Sequence, residues 1–388
     1  YADHRDLHSF PTRRSSRSLV ISPGIEQVAQ SEVTRYFPNL RPLPSAEGLE
    51  YECDLETIYK LNLFLRVPNR ILVRIAEFEA TSFQELFTKS VRLPWKQFIK
   101  KDTSVKIRTT CHKSKLYHSD AVTQRIHQSI ESNLAKKVPL IKGNTEETFG
   151  KQQLIIVRLL RDQVSISIDS SGNPLYMRGY REIVTKAPIR ENLAASLLIA
   201  ANWTPDSALI DPFCGSGTIP IEAALMAKNQ PPGLYRDFAF ENWTEFNQTV
   251  WQDIRRDSVQ NLTNHITRIQ GSDRDKGAIR SATKNAEKAG VNQGIEWKNQ
   301  SISEMKSYHQ PGWIITNPPY GLRTSSNKDI RNLYAQFGNI LRQDFKGWQV
   351  VFLCNDVNLA NQTKLNPKSL LSLTNGGINV QAFHAQVE

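Results

Sequence analysis

The run SALIDPFCGSGTIPIEAALMAKN, residues 207–229, limits the possible folds of this chain more than any other stretch. A short apolar strand, Ala208 to Ile210, ends in Asp211, and Gly215 and Gly217 then turn the chain into a strongly helical segment. Such a strand, turn and helix make one unit of an open, mostly parallel sheet covered on both faces. From Leu175 onward short apolar strands alternate with helical patterns in the same way. Glycine lets the backbone approach a ligand closely, and the helix start offers free N–H groups and a positive dipole end. The acidic strand end decides the ligand. A carboxylate binds hydroxyls or an amino group and repels a pyrophosphate, so Asp211 argues against a dinucleotide and for a nucleoside with a cationic tail.

Three later strand ends extend that site. RIQGSDRD ends in Asp273, a carboxylate able to accept hydrogen bonds from both ribose hydroxyls; capping of the Lys276 to Ala289 helix by Asp273 or Asp275 is the competing use. An inserted segment, Gln230 to His265, separates this strand from the Gly-rich turn. GIEWKNQS brings Gln300 and Ser301, to within a residue or two, to the edge where an adenine ring could lie. WIITNPPYGLR ends a strand in Asn317-Pro318-Pro319-Tyr320, and two consecutive prolines stop the ladder and fix an extended turn. The exocyclic amine of a base is a poor nucleophile because its lone pair is delocalised into the ring. The Asn317 side-chain carbonyl and the Pro318 backbone carbonyl can accept hydrogen bonds from that NH2 and free the lone pair, while Tyr320 stacks on the base. A turn alone is the bland reading of Pro-Pro. Its place in one α/β domain with the Gly-rich turn favours the chemical one.

With 388 residues the chain has room for two or three domains at roughly 150 residues each. Beyond Pro205 stand 19 Lys and Arg against 17 Asp and Glu, which leaves 30 against 21 of the chain's 49 and 38 for the N-terminal half. Nine basic residues against two acidic ones lie between Thr81 and His118. Lys96, Lys100, Lys101, Lys113 and Lys115 in this stretch read as a phosphate-neutralising surface, with Trp95, Phe98, Tyr117 and His118 interleaved, and a solvated face is the competing reading. Two α+β patterns occupy this half, one from residue 18 to about 80 and one from Ser82 to Asp169. No run approaches the roughly 18 apolar residues of a membrane span, and Cys53, Cys111, Cys214 and Cys354 show no paired spacing, so a cytoplasmic location without disulfide or metal is expected. Residues 1–17, whose DLHSFPTRRSS run resembles translated adapter sequence, are set aside as a non-native extension.

DPFCGSGTIPIEAA with TNPPYG, preceded by YMRGYR and KAPIRENLAASLL, resembles the THUMP-domain-containing bacterial methyltransferases that modify the N2 amine of a guanosine in large-subunit ribosomal RNA. The resemblance runs from about residue 18 to the C-terminus. It implies an α/β chain: a ferredoxin-like α+β domain over 18–70, a THUMP RNA-binding domain over 71–170, and over 171–388 a class I methyltransferase, Rossmann-like sheet with a reversed terminal hairpin. LLSLTNGGINVQAFHA supplies such a hairpin, with Asn375-Gly376 as its turn. The resemblance further implies S-adenosylmethionine held by Asp211, Phe213, Gly215, Ser216, Gly217 and Thr218, with Asp273 on the ribose and Gln300 and Ser301 nearby. Pro188 to Asn192 would close over the methionine end, and Asn317 to Tyr320 would face the base. Arg178 and Arg181 in YMRGYR join the lysines as RNA contacts. Leu322 stands where an acidic residue is usual, and no Asp stands near Gln300.

The implied reaction is direct displacement at a sulfonium methyl by guanine N2 in 23S ribosomal RNA or a pre-ribosomal particle, with no metal and no covalent intermediate. The methylated nitrogen becomes acidic on transfer, so no strong base is required, and His265, His309 and His384 read as surface or packing residues. The base must leave its stack, which favours unpaired RNA. An N6-adenine DNA methyltransferase and a non-catalytic RNA-binding assembly factor are the rival readings.

Overall fold

The computed structural model describes residues 15–21, 23–44, 48–143, 151–182, 189–263, 268–308, 310–320, 327–375 and 377–388. Among them two seven-stranded sheets organise the chain. The first holds β1 (Ser15–Val20), β2 (Pro42–Leu43), β3 (Leu49–Cys53), β4 (Arg70–Glu79), β5 (Ser104–His112), β6 (Gln152–Leu160) and β7 (Gln163–Asp169), in the order β2-β3-β1-β4-β7-β6-β5. The two N-terminal α+β patterns therefore share one sheet. The ten-residue β4 joins them by pairing with β1 on one side and β7 on the other. Alternation decides which face is which: Ile71 and Val73 of β4 and Val164, Ile166 and Ile168 of β7 enter the core, while Ser165, Ser167 and Asp169 point the other way. Helices α1 (Glu26–Tyr36), α2 (Leu55–Phe64), α3 (Phe83–Ser90), α4 (Trp95–Phe98) and α5 (Ser119–Leu134) accompany this sheet. Ile58 and Leu61 of α2, Leu86 of α3 and Val122, Ile126 and Ile130 of α5 fill the same core. Strand β1 takes in Ser15, Ser16 and Arg17, which pair with Cys53, Glu52 and Tyr51, so ordered structure reaches three residues into the stretch set aside from the fold.

The second sheet is the doubly wound one. After α6 (Glu191–Ala200) come β8 (Leu209–Asp211), α7 (Thr218–Ala227), α8 (Gln248–Gln260), β9 (Ile269–Asp273), α9 (Lys276–Lys288), β10 (Ile295–Asn299), β11 (Trp313–Thr316), α10 (Asn327–Asp344), β12 (Gln349–Cys354), α11 (Val357–Asn361), β13 (Lys368–Asn375) and β14 (Ile378–Gln386). The order is β10-β9-β8-β11-β12-β14-β13. The first five strands are parallel, and β14 runs antiparallel to β12 and to β13, which is the reversed terminal hairpin. Gly376 of the expected turn lies outside the described residues. The chain reverses direction of winding at β8, so β8 and β11 flank the switch point where open α/β sheets bind ligands.

The two halves interlock. Phe238, Phe240, Trp243, Trp251 and Ile254, from the segment inserted between α7 and β9, belong to the core of the N-terminal sheet. Tyr59 of α2 stacks on Phe240 with ring centres 4.5 Å apart. In return Ile25, Ala29 and Val67 pack into the core of the C-terminal sheet. Among the described residues no helix is long and apolar enough to cross a membrane.

Candidate active site

Asp211, Asp273 and Thr316 end three neighbouring parallel strands, so their side chains collect at one sheet edge. Asp211 is 1% exposed. Its Oδ1 accepts from the Thr316 hydroxyl at 2.6 Å and from the Phe213 N–H at 3.2 Å. Burial, with the neighbouring Asp273 charge adding to it, pushes the Asp211 carboxyl up to about 7 even though these two hydrogen bonds pull the other way. Asp273 reaches across to the Gly-rich turn: its Oδ2 accepts from the Gly215 N–H at 3.1 Å, and its Oδ1 from the Asp275 N–H at 2.9 Å. The cap of α9 is Asp275, whose Oδ1 accepts from the Gly277 N–H at 2.7 Å. Asp273 ends β9 and does not cap α9.

The turn itself is built by packing. Gly217 caps α7 with φ +84°, and a β-carbon there would stand 2.8 Å from the Trp297 ring and 2.9 Å from Ala282. Gly215 is also left-handed, at φ +52°. Ser216 is buried, and its carbonyl accepts from the Asn285 amide at 3.1 Å. Thr218 Oγ1 accepts from Arg181 at 3.0 Å. The Phe213 ring sits edge-on to Phe337 at 5.8 Å, in the core beneath β12.

Asn317 follows Thr316 directly. Its Oδ1 is buried and has no hydrogen-bond partner among the described residues. A buried acceptor left unpaired costs about 1–3 kcal/mol, a cost that a donor brought by a ligand removes. Pro318 is buried and Pro319 exposed. Tyr320 is half-buried, and its hydroxyl accepts from the Asn375 amide at 2.9 Å, which ties the turn to the terminal hairpin.

The other expected residues divide. Gln300 donates its backbone N–H to the Asp273 carbonyl at 3.2 Å, beside the proposed ribose carboxylate. Ser301 is occupied in a capping box: its N–H and hydroxyl both reach Glu304 Oε2, at 2.7 and 3.0 Å. Asn192 is buried, and its amide donates to the Val67 carbonyl and to Asn69 Oδ1 at 3.1 and 3.0 Å, tying α6 to the N-terminal half. Pro188, Leu322, His265 and His309 lie outside the described residues. His384 is a packing residue whose Nε2 lies 2.7 Å from Gln349 Oε1.

Two arginines expected on RNA are spent inside the protein, and that expectation is corrected. Arg178 is 6% exposed; it bonds the Leu175 carbonyl, donates to the Arg66 carbonyl at 2.7 Å and faces Glu222 at 3.6 Å. Arg181 spans Glu191 Oε1, the Ile189 carbonyl and Thr218 at 2.8–3.0 Å. Trp95 and Phe98 are likewise core residues, whereas Tyr117 is 69% exposed and leans on His118. Lys96, Lys100, Lys101, Lys113 and Lys115 are all exposed. Thr316, Asn285 and Trp297 were not singled out from sequence, and Asn375 was read only as a turn residue; each acts through a partner far away in the chain, which no local pattern marks.

A family model described as an RMKL-like methyltransferase domain matches residues 178–382, a THUMP domain model matches 80–169, and an RlmL ferredoxin-like domain model matches 19–72. The ribosomal RNA large subunit methyltransferase K/L of Colwellia psychrerythraea is 32% identical over 93% of this chain and 51% of its own length. The Bacillus subtilis protein YpsC, named as a candidate RNA methyltransferase, is 35% identical over 86% of each chain. The chain spans about half the length of the K/L relatives it matches. Among solved structures, the candidate methyltransferase SMU.472 in complex with SAH superposes with a TM-score of 0.84 at 29% identity, over 97% of this chain and 99% of that one.

Proposed function

Because the chain belongs to the RMKL-like methyltransferase family, we propose that it methylates the exocyclic N2 amine of a guanosine in 23S ribosomal RNA, with S-adenosylmethionine as donor. The observation that carries this reading is the buried Oδ1 of Asn317, without a partner among the described residues and one residue beyond the hydroxyl that holds Asp211. The donor set fits the cofactor: two carboxylates at adjacent strand ends suit a ligand with ribose hydroxyls and a positive charge, and such a charge would hold Asp211 ionised. When bound, the cofactor supplies an electrophilic methyl on a sulfonium.

The protein's own groups then position the nucleophile. Asn317 Oδ1 and the Pro318 carbonyl accept the two N–H bonds of the guanine amine, turning its lone pair out of conjugation. Tyr320, anchored by Asn375, stacks on the flipped base. The nitrogen loses a proton as it is methylated, so solvent suffices as acceptor. The exposed lysines from Lys96 to Lys115 form the outer RNA surface in this reading.

Transfer of a labelled methyl to 23S ribosomal RNA and to duplex DNA, followed by nucleoside analysis, tests the proposal. Label in N2-methylguanosine from RNA is expected. Label confined to N6-methyladenine in the DNA would replace it with the rival methyltransferase, and label in neither would leave only an RNA-binding role.

A further inference from the structure

Residues 178–182 run along α7 toward its start and finish on the Gly-rich turn. Arg178 faces Glu222 at 3.6 Å, and the Tyr180 hydroxyl donates to Glu222 Oε1 at 3.1 Å, one helical turn inside α7. Arg181 reaches the first residue of that helix and donates to Thr218 Oγ1 at 3.0 Å. Thr218 and Glu222 share one face of α7 because their spacing is about one helical turn. The chain then passes to α9. The Glu182 N–H donates to Asn285 Oδ1 at 3.0 Å, and the Glu182 carboxylate pairs with Lys288 of the same helix at 2.9 Å. Asn285 is 1% exposed, and its amide carries the connection onward by donating to the Ser216 carbonyl at 3.1 Å.

The turn is thereby constrained twice. The peptide unit between Ser216 and Gly217 is held at both ends, its carbonyl by Asn285 and its N–H by the Cys214 carbonyl at 2.8 Å. Rotation of that unit would break both bonds and turn a carbonyl oxygen toward the place where a helix start offers N–H donors. The Arg181 guanidinium, besides holding Thr218, donates to the Ile189 carbonyl at 2.8 Å and to Glu191 Oε1 at 3.0 Å, so one rigid plane fixes the start of α7 against the start of α6. We propose that Arg181 and Asn285 are positioning residues for the cofactor, acting through Thr218 and Ser216 to keep the Gly-rich turn in its binding shape. The inference rests on the cofactor site read under the proposed function. Tyr180 belongs to the same segment but meets α7 away from the turn, so its hydroxyl serves stability alone.

The test is the affinity of the full chain for S-adenosylhomocysteine, measured by calorimetry well below each variant's thermal midpoint, beside methyl transfer to 23S ribosomal RNA at varied S-adenosylmethionine. Asn285→Ala should weaken S-adenosylhomocysteine binding by about tenfold, the scale of one hydrogen bond. It should raise the KM for S-adenosylmethionine to match while kcat stays within about threefold. Should Asn285→Ala fail to fold, Arg181→Lys carries the same expectation, because it keeps a charge beside Glu191 but cannot reach three acceptors at once. Tyr180→Phe should lower the thermal midpoint and leave the affinity as in wild type, a split that general loosening of the fold does not produce. Tyr180→Phe weakening binding as much as Asn285→Ala would overturn the proposal. So would wild-type affinity in folded Asn285→Ala and Arg181→Lys when Asp211→Ala has lost binding, a result that leaves the cofactor site itself standing. Unchanged affinity in all three would place the cofactor elsewhere and defeat both readings.

Discussion

Asp211 is under two opposed demands. Burial holds its carboxyl up to about 7, so the ligand-free fold favours the neutral form. A cationic ligand needs the ionised form. In the ligand-free protein the raised value means that the stability this group contributes is complete below the ordinary carboxylate range, near 4, and is lost as pH rises through about 7. Ligand binding has the opposite slope: S-adenosylmethionine affinity measured by calorimetry should weaken by about tenfold per pH unit below pH 7 and level off above it. A flat profile would show that the carboxylate is not the contact, and Asp211→Ala should bind at no pH. Asn317 makes the complementary case. Asn317→Ala should keep cofactor affinity within a few-fold while lowering methyl transfer by roughly 100-fold or more, the scale for losing one positioned hydrogen-bond partner. A variant that loses affinity and rate together would move Asn317 into the cofactor site. Both residues were legible in sequence because each ends an apolar strand beside a breaker of the ladder. The hydroxyl joining them, Thr316, was not, because its partner lies 105 residues away. Arg178 and Arg181 were misplaced for a related reason: a basic residue in sequence does not disclose that carbonyls and buried glutamates have already claimed it.

At the scale of elements, the Gly-rich turn and α7 depend on what lies behind them. Trp297 of β10 and Ala282 of α9 fill the space in front of Gly217. Gly217→Ala therefore meets both a left-handed backbone and an occupied site, and should cost about 1–3 kcal/mol or more, read as a fall in thermal midpoint. A midpoint equal to wild type would mean that the turn has slack the packing does not suggest. The parallel strands and their helices followed from hydrophobic patterning, since short apolar runs flanked by Asp, Gly and Pro leave few other solutions, and the reversed hairpin followed from the family resemblance together with its Asn375-Gly376 turn signal. The single N-terminal sheet did not follow, because β4 pairing with both β1 and β7 is a long-range choice made by edges rather than by local sequence.

Across the whole molecule, the interlocked cores set the unit of folding. The aromatic group of Phe238, Phe240, Trp243 and Trp251 is contributed by the C-terminal half and buried by the N-terminal one. A fragment comprising residues 171–388 should expose this group, bind a hydrophobic dye and lack the melting transition of the full chain; a fragment as stable as the full chain would show the halves to be independent. The junction also holds Glu222 of α7 between Arg66, Arg178 and the Tyr180 hydroxyl, all buried. Glu222→Ala leaves two guanidiniums without their carboxylate and should destabilise by about 3–5 kcal/mol in denaturant titration, with less than 1 kcal/mol contradicting the role assigned to the pair. Such coupling makes the two sheets one body, so on the function proposed above an RNA held by the first would be presented to the second. The most direct test of that account is a nucleoside mass profile of 23S ribosomal RNA from cells with and without this protein. It predicts loss of one N2-methylguanosine, restored by the wild-type chain and not by Asn317→Ala. An unchanged N2-methylguanosine content, or restoration by Asn317→Ala, would contradict it.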